Sequence, residues 1–230
     1  MTTRARALAC LLLAAASPAG AVAPRTEAGL RMGWLRTTGA VRGLAAGAPV
    51  PEVYMTVSRP GSPLSLEFSM SGYDVSGSES GRALYTSGSV AAPTAFVFSQ
   101  DLVALPILGT LRVDRRRPRW DLHAGVGLGM VVTTLTRRLS FSDPNAEAAF
   151  GQTSASYDTD AEVHAQAGAD WDIGRGWSAG AFLRWAYARS GVRIYRGFQA
   201  ANASGAFFNE GPPAGDAYGT FLSLSLRRRF

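Results

Sequence analysis

Ala217-Tyr-Gly-Thr-Phe-Leu-Ser-Leu-Ser-Leu-Arg-Arg-Arg-Phe230 is the stretch whose reading decides the fold. Within it Tyr218, Thr220, Leu222, Leu224 and Leu226 alternate with Gly219, Ser223, Ser225 and Arg227. A period of two belongs to a strand, because successive side chains leave opposite faces of the pleat. An apolar stripe opposed by small polar groups and finished by an aromatic residue fits the closing strand of a barrel whose outside faces lipid.

The other end of the chain points to export. Arg4 and Arg6 precede the apolar run Ala7 to Ala16, and Ser17-Pro-Ala-Gly-Ala-Val-Ala23 follows with small residues at cleavage-type spacing. This predicts a signal peptide over residues 1–23, cut after Ala21 or Ala23, and one domain over residues 24–230. A transmembrane helical anchor needs about 20 apolar residues, and this run is shorter and breaks at Pro18. Cys10, the sole cysteine, begins the apolar run, whereas a lipid-attachment cysteine should follow it. The mature chain is therefore expected to carry no thiol, disulfide or cysteine metal site.

About 207 residues then remain, enough for one barrel. All 23 basic side chains are Arg, and the formal net charge is +6. Without Arg4 and Arg6 it falls to about +4, too mild and too dispersed for nucleic-acid binding. No mature stretch is apolar enough to span a bilayer as a helix, so spanning must use strands.

Steps of two give a regular series. Leu30, Met32 and Trp34 alternate with Arg31 and Gly33, and Val53, Met55 and Val57 with Tyr54 and Thr56. After a turn over residues 59–63, Leu64, Leu66, Phe68 and Met70 alternate with Ser65, Glu67, Ser69 and Ser71. A Gly/Ser-rich loop is expected from about Tyr73 to Val90, then a fourth strand between Thr94 and Val113. Its apolar parity changes between Phe96/Phe98 and Leu105/Ile107/Leu111/Val113, so a bulge or two registers are expected near Asp101. Trp120 to Val132 forms the fifth, with Asp121, His123, Gly125, Gly127 and Gly129 on the other face. A polar loop is expected to about Asp160. Val163 to Ile173, the turn Gly174-Arg-Gly176, Trp177 to Tyr187, a long loop to about Gly215 and the terminal strand complete a count of eight. The fold class expected is all-β: an eight-stranded antiparallel up-and-down transmembrane β-barrel.

Connection lengths and aromatics agree with it. Connections alternate between long and short, as in outer-membrane barrels with periplasmic turns and external loops. Trp120, Trp171, Trp177 and Phe230 fall at the turn side, and Trp34, Trp185, Tyr187 and Tyr218 at the loop side, as two aromatic girdles would. A soluble barrel would turn this Trp-rich stripe inward, and eight strands leave too little interior for it.

The signal peptide, the eight-strand parity, the stretch Leu102 to Val113 followed by a basic turn and Trp120 to Gly129, and the terminal Phe230 resemble small outer-membrane β-barrel proteins of the opacity/outer membrane protein A-like superfamily. The resemblance implies the outer membrane of a Gram-negative bacterium. It also implies recognition of the last strand by the barrel assembly machinery, through Phe230, Leu226, Leu224 and Leu222. Arg228 departs from the apolar or aromatic residue usual there. No peptidoglycan-binding domain is expected after the barrel, so that tether is not carried over.

The inward set is Arg31, Glu67, Arg112, Asp121, His123, Glu162, His164, Asp170, Arg184 and Arg227. Mixed charges in a narrow lumen should pair, since unpaired ones are costly to desolvate. The expectation is a lumen plugged by ion pairs and a structural or surface-interaction role, with a narrow channel as the alternative. A lipid-modifying enzyme would need a nucleophile, base and orienting acid in reach, and no Ser completes a set with His123 or His164. No metal-ligand spacing appears, and the glycine run of residues 125–129 opens no helix, so no metal, cofactor or catalytic residue is expected. Arg115, Arg116, Arg117 and Arg119, with Arg227, Arg228 and Arg229, would meet lipid phosphates at the inner headgroups. Arg137, Arg138, Arg189, Arg193 and Arg196 form a candidate lipopolysaccharide rim. The expected partners are outer-membrane lipid, lipopolysaccharide and the assembly machinery, around a monomer.

Overall fold

Alternating residues have one way to satisfy both faces and every backbone group inside a bilayer, which is to close the sheet on itself. The computed structural model does so; it describes residues 23–38, 41, 44–87, 90–188, 198–202, 205–208 and 217–230. Its strands are β1 (Arg25–Thr37), β2 (Gly47–Ser58), β3 (Leu64–Ser71), β4 (Tyr73–Ser87), β5 (Val90–Arg116), β6 (Trp120–Phe141), β7 (Gln152–Gly174), β8 (Trp177–Ala188), β9 (Phe198–Asn202), β10 (Gly205–Phe208) and β11 (Ala217–Arg229). A short helix, α1 (Pro144–Phe150), joins β6 to β7.

The order β3-β2-β1-β11-β8-β7-β6-β5 closes through a β3–β5 ladder, and every pairing is antiparallel. β3 and β4 are successive parts of one wall strand. β3 faces β5 from Leu64↔Val113 to Met70↔Ile107, and β4 resumes from Tyr73↔Ala104 in the same register. The ring therefore has eight positions, as the sequence predicts. β9 and β10 form a separate hairpin.

Several boundaries differ from the sequence reading. The stretch read as a loop from Tyr73 to Val90 is largely β4, which pairs with β5 up to Ser87↔Val90. The polar loop expected before Asp160 is mostly strand: β6 runs to Phe141, α1 caps the connection, and β7 starts at Gln152. Cross-strand hydrogen bonds explain this, since Ser, Thr and Asp on two-sided polar strands satisfy a ladder as well as Val does. β4 to β7 thus rise well beyond Glu162↔Ala188, the uppermost β7–β8 pair among the described residues. α1 is capped by Asp143, whose carboxylate accepts from the amides of Asn145 and Ala146 at 2.9 Å.

The bulge expected near Asp101 is absent, because β5 keeps one register against β4 and against β6 throughout. What changes is the chemistry of the interior. Phe96, Phe98, Leu102, Ala104 and Leu108 are all buried on the inner face, while Leu105, Ile107, Leu111 and Val113 are exposed on the outer face. The upper interior is apolar. Val41, Ala48, Val75, Leu102 and Leu135 form one cluster; Leu35, Val50, Phe182 and Phe221 form another; Tyr73 packs against both.

Among the short turns, the β7–β8 connection takes positive φ at Gly174 (93°), Arg175 (55°) and Gly176 (80°). Glycine at two of these three places removes most of the left-handed strain.

Candidate functional site

The lower half of the enclosed space holds the charges. Each inward residue is followed by a lipid-side one, and the contrast is complete: Glu67 is 0% exposed and Leu224 73%. All ten inward residues named from the sequence are buried, along with Glu27, Glu52 and Asp114. Small inward positions make room for them. A Cβ on Gly127 would stand 2.5 Å from His164 Nε2, and one on Gly168 would run into the His123 ring.

Glu67 on β3 and Glu52 on β2 anchor the central layer. Arg31 donates to both Glu67 oxygens, at 2.9 and 2.8 Å, and to Glu52 at 2.5 Å. Arg112 donates to Glu67 at 2.5 Å and to Asp114 at 2.6 Å. Arg184 reaches from the opposite wall to both Glu52 oxygens, at 2.5 and 3.1 Å. Gln166 donates to Glu67 at 3.0 Å and accepts from Arg184 at 3.3 Å. The Arg31 guanidinium lies between the Tyr54 and Phe182 rings, 3.7 and 3.8 Å from their centroids. Planar bidentate pairing and stacking are what Arg does and Lys cannot.

A second layer lies toward the turns. Arg227 on β11 binds Glu27 and Asp121 at 2.8 Å, with Asp170 at 3.5 Å. Ser225 donates to Asp170 at 2.8 Å. Arg25 meets Glu27 at 3.0 Å, and Arg229 stands 3.4 Å from Glu27 and 3.3 Å from Asp172. The two histidines sit beside these layers. His123 faces Asp170 at 3.5 Å, while Asp121, its neighbour by strand parity, serves Arg227. His164 shares a 2.8 Å hydrogen bond with Thr110 and stands 3.9 Å from Glu162.

Sequence reasoning missed Glu27, Glu52, Tyr54 and Gln166 as members. The signal was parity: Glu27 is four residues from Arg31, and Glu52 continues the Tyr54/Thr56 face one step beyond where the apolar stripe began.

The Arg groups divide differently than expected. Adjacent strand residues point to opposite faces, so Arg137 and Arg138 cannot share a surface: Arg137 lies inward and donates to Ser156 at 3.3 Å, and Arg138 is exposed. Arg189, Arg193 and Arg196 lie outside the described residues. By the same rule Arg227 and Arg229 join the interior network, correcting their assignment to lipid phosphates. Arg228 alone of the three turns outward, 5.5 Å from the Trp177 and Phe230 ring centroids. Arg115, Arg117 and Arg119 are exposed, whereas Arg116 is half-buried beside Glu27 and Asp121 at 3.9 Å.

Outside, Trp34, Trp120, Trp171, Trp177, Trp185 and Phe230 are exposed. Tyr187 is half-buried, and the Tyr218 side chain lies outside the described residues. Trp120 and Trp171 are register partners whose rings meet edge-on, 4.3 Å apart.

An apolar outer wall, an ion-paired interior and a closed antiparallel ring define an eight-stranded transmembrane β-barrel. Comparison with solved structures finds the same fold in one outer-membrane protein and looser alignments to others. A major outer membrane protein from Thermus thermophilus superimposes with a TM-score of 0.51 at 11% identity, covering 91% of this chain and all of that one. Neisserial surface protein A gives 0.46 at 13% identity, over 92% of this chain and 100% of its own. Ail, the attachment invasion locus protein of Yersinia pestis, gives 0.47 at 10% identity, over 90% and 97%. No family model matches the chain, and no curated protein matches it.

Proposed function

We propose that the chain is an outer-membrane β-barrel with a structural or surface-interaction role, exported by a signal peptide over residues 1–23 and closed to solutes. The observation that carries the closure is the bridge of Arg31, Glu52, Glu67, Arg112 and Arg184, which joins β1, β2, β3, β5 and β8 across the interior. Above it the Leu35, Val50, Phe182 and Phe221 cluster fills the space with hydrocarbon. A solute would have to displace paired charges at several kcal/mol each, then cross an apolar layer.

The exposed Trp side chains act as girdles at the two headgroup levels, with Phe230 and Arg228 at the lower one. Arg138, with Arg189, Arg193 and Arg196, meets lipopolysaccharide phosphate at the outer rim. The tall β4–β7 wall supports a surface role, because it lifts polar strands clear of the membrane. Assembly proceeds through the β11 stripe and Phe230, and the barrel works as a monomer.

Planar-bilayer recording of the reconstituted barrel tests the closure. The expected result is no sustained ionic current at moderate voltage. Steady unitary conductance would instead establish the narrow channel.

A further inference from the structure

The two ends of the barrel differ in charge. At the loop side the exposed described residues carry both signs, with Arg36, Arg82 and Arg138 against Asp74, Glu79 and Asp101. At the turn side Arg59, Arg115, Arg117, Arg119, Arg175 and Arg228 are exposed, while the acidic side chains of that end are buried or half-buried. Those acids already have inner partners. Arg112 holds Asp114, Arg227 holds Glu27 and Asp121 with Asp170 at 3.5 Å, and Arg229 stands 3.3 Å from Asp172.

The exposed cations also gather in one sector. Five of the six lie on the β5–β6 turn, the β7–β8 turn and β11, which adjoin in the ring order β5-β6-β7-β8-β11. The same sector carries Trp120, Trp171 and Trp177, and β1, β2 and β3 carry no Trp at this height. Parity aims Arg115 to the lipid side, where it continues the outer face of Leu111 and Val113, and Arg228 continues that of Leu224 and Leu226.

Backbone hydrogen bonds brace this sector. Arg117 N donates to Trp120 O at 2.7 Å and closes the β5–β6 turn; Asp172 N donates to Arg119 O at 3.1 Å and ties that turn to β7. Arg229 N donates to Gly176 O at 2.9 Å and ties the β7–β8 turn to β11. On such a frame an incoming anion has to order side chains but not backbone. Five like charges held together repel one another, and no described carboxylate on the outside offsets them.

Depth and charge together name the occupant. Indoles belong at the headgroup level of a bilayer, Arg115 and Arg228 stand on the face that continues into the apolar wall, and a guanidinium binds phosphate through paired donors.

We propose that the sector from β5 round to β11 is a binding face for anionic phospholipid headgroups of the turn-side leaflet, with Arg115, Arg119, Arg175 and Arg228 on the phosphates and the three Trp against the glycerol region. The inference rests on the lipid-embedded barrel proposed above. It goes beyond the contact with lipid that any barrel makes, because unbalanced guanidiniums favour a net negative headgroup over a zwitterionic one, whose own cation cancels its phosphate.

Electron paramagnetic resonance of the barrel in phosphatidylcholine vesicles tests this, with chain-labelled phosphatidylglycerol or phosphatidylcholine as the probe and the motionally restricted fractions compared. Phosphatidylglycerol should associate about twofold more strongly, averaged over all lipid contacts, since only one sector of one leaflet discriminates. In Arg115→Gln/Arg119→Gln/Arg175→Gln/Arg228→Gln the ratio should fall to about one, and in the loop-side variant Arg36→Gln/Arg82→Gln/Arg138→Gln it should stay at about two. If the quadruple variant lacks the heat-modifiable gel migration of a folded barrel, Arg119→Gln/Arg175→Gln, altered on turns alone, is read in its place and should move the ratio toward one. No preference in the unaltered protein, a preference that survives the turn-side variant, or one lost in the loop-side variant overturns the proposal. Binding of soluble poly-glutamate without any lipid preference would assign the sector to an acidic polymer and also overturns it. Absence of restricted lipid with both probes would instead overturn the lipid-embedded reading.

Discussion

At the residue scale, Glu67 carries the heaviest electrostatic duty. It accepts from Arg31, Arg112 and Gln166 with no exposure to solvent. Glu67→Gln keeps the shape but leaves two buried guanidiniums short of a counter-charge, which costs about 3–5 kcal/mol. Urea unfolding in lipid vesicles, followed by the gel shift between folded and unfolded barrel, should show a loss of that size. Gly127 tests packing in the same interior. Gly127→Val drives a side chain into His164 and should cost about 1–3 kcal/mol in the same assay. Residue identity in the sequence revealed the buried Arg and His members, because each sits in a strand whose apolar face was already legible. Glu27 and Glu52 escaped notice because they lie beyond the apolar stripes of their own strands, where the interior is still enclosed but the outer face has begun to change.

At the element scale, β11 shows what two-faced strands require. Leu222, Leu224 and Leu226 are exposed while Ser223, Ser225 and Arg227 are buried. Leu224→Arg places a charge on the lipid side, at a cost of about 2–4 kcal/mol near the bilayer midplane and less toward the interfaces. The midpoint of urea unfolding in vesicles should fall accordingly, and an unchanged midpoint would put Leu224 outside hydrocarbon. Strands with this contrast, such as β3, β8 and β11, were legible from alternation. β4 and the upper parts of β6 and β7 were not. Their residues are polar on both faces or apolar on the inner one, so period-two hydropathy fades although ladder hydrogen bonding continues. The apparent parity change in β5 has the same origin: Phe96 and Phe98 pack inside an apolar upper lumen, where the sequence alone suggested a polar one.

At the scale of the whole molecule, three layers stack inside one wall. Arg227 and its carboxylates lie toward the turns, the Arg31/Glu52/Glu67/Arg112/Arg184 bridge lies at the centre, and the Phe182/Phe221 cluster lies above. The proposed closure to solutes rests on this order of layers. The alternation of faces is the claim on which all of this depends. Nitroxide scanning of single-cysteine variants at positions 222–227 in vesicles, in a Cys10→Ser background, tests it most directly. Labels at 222, 224 and 226 should collide freely with oxygen, and labels at 223, 225 and 227 should be shielded from it. The reverse pattern, or no alternation, would contradict the account.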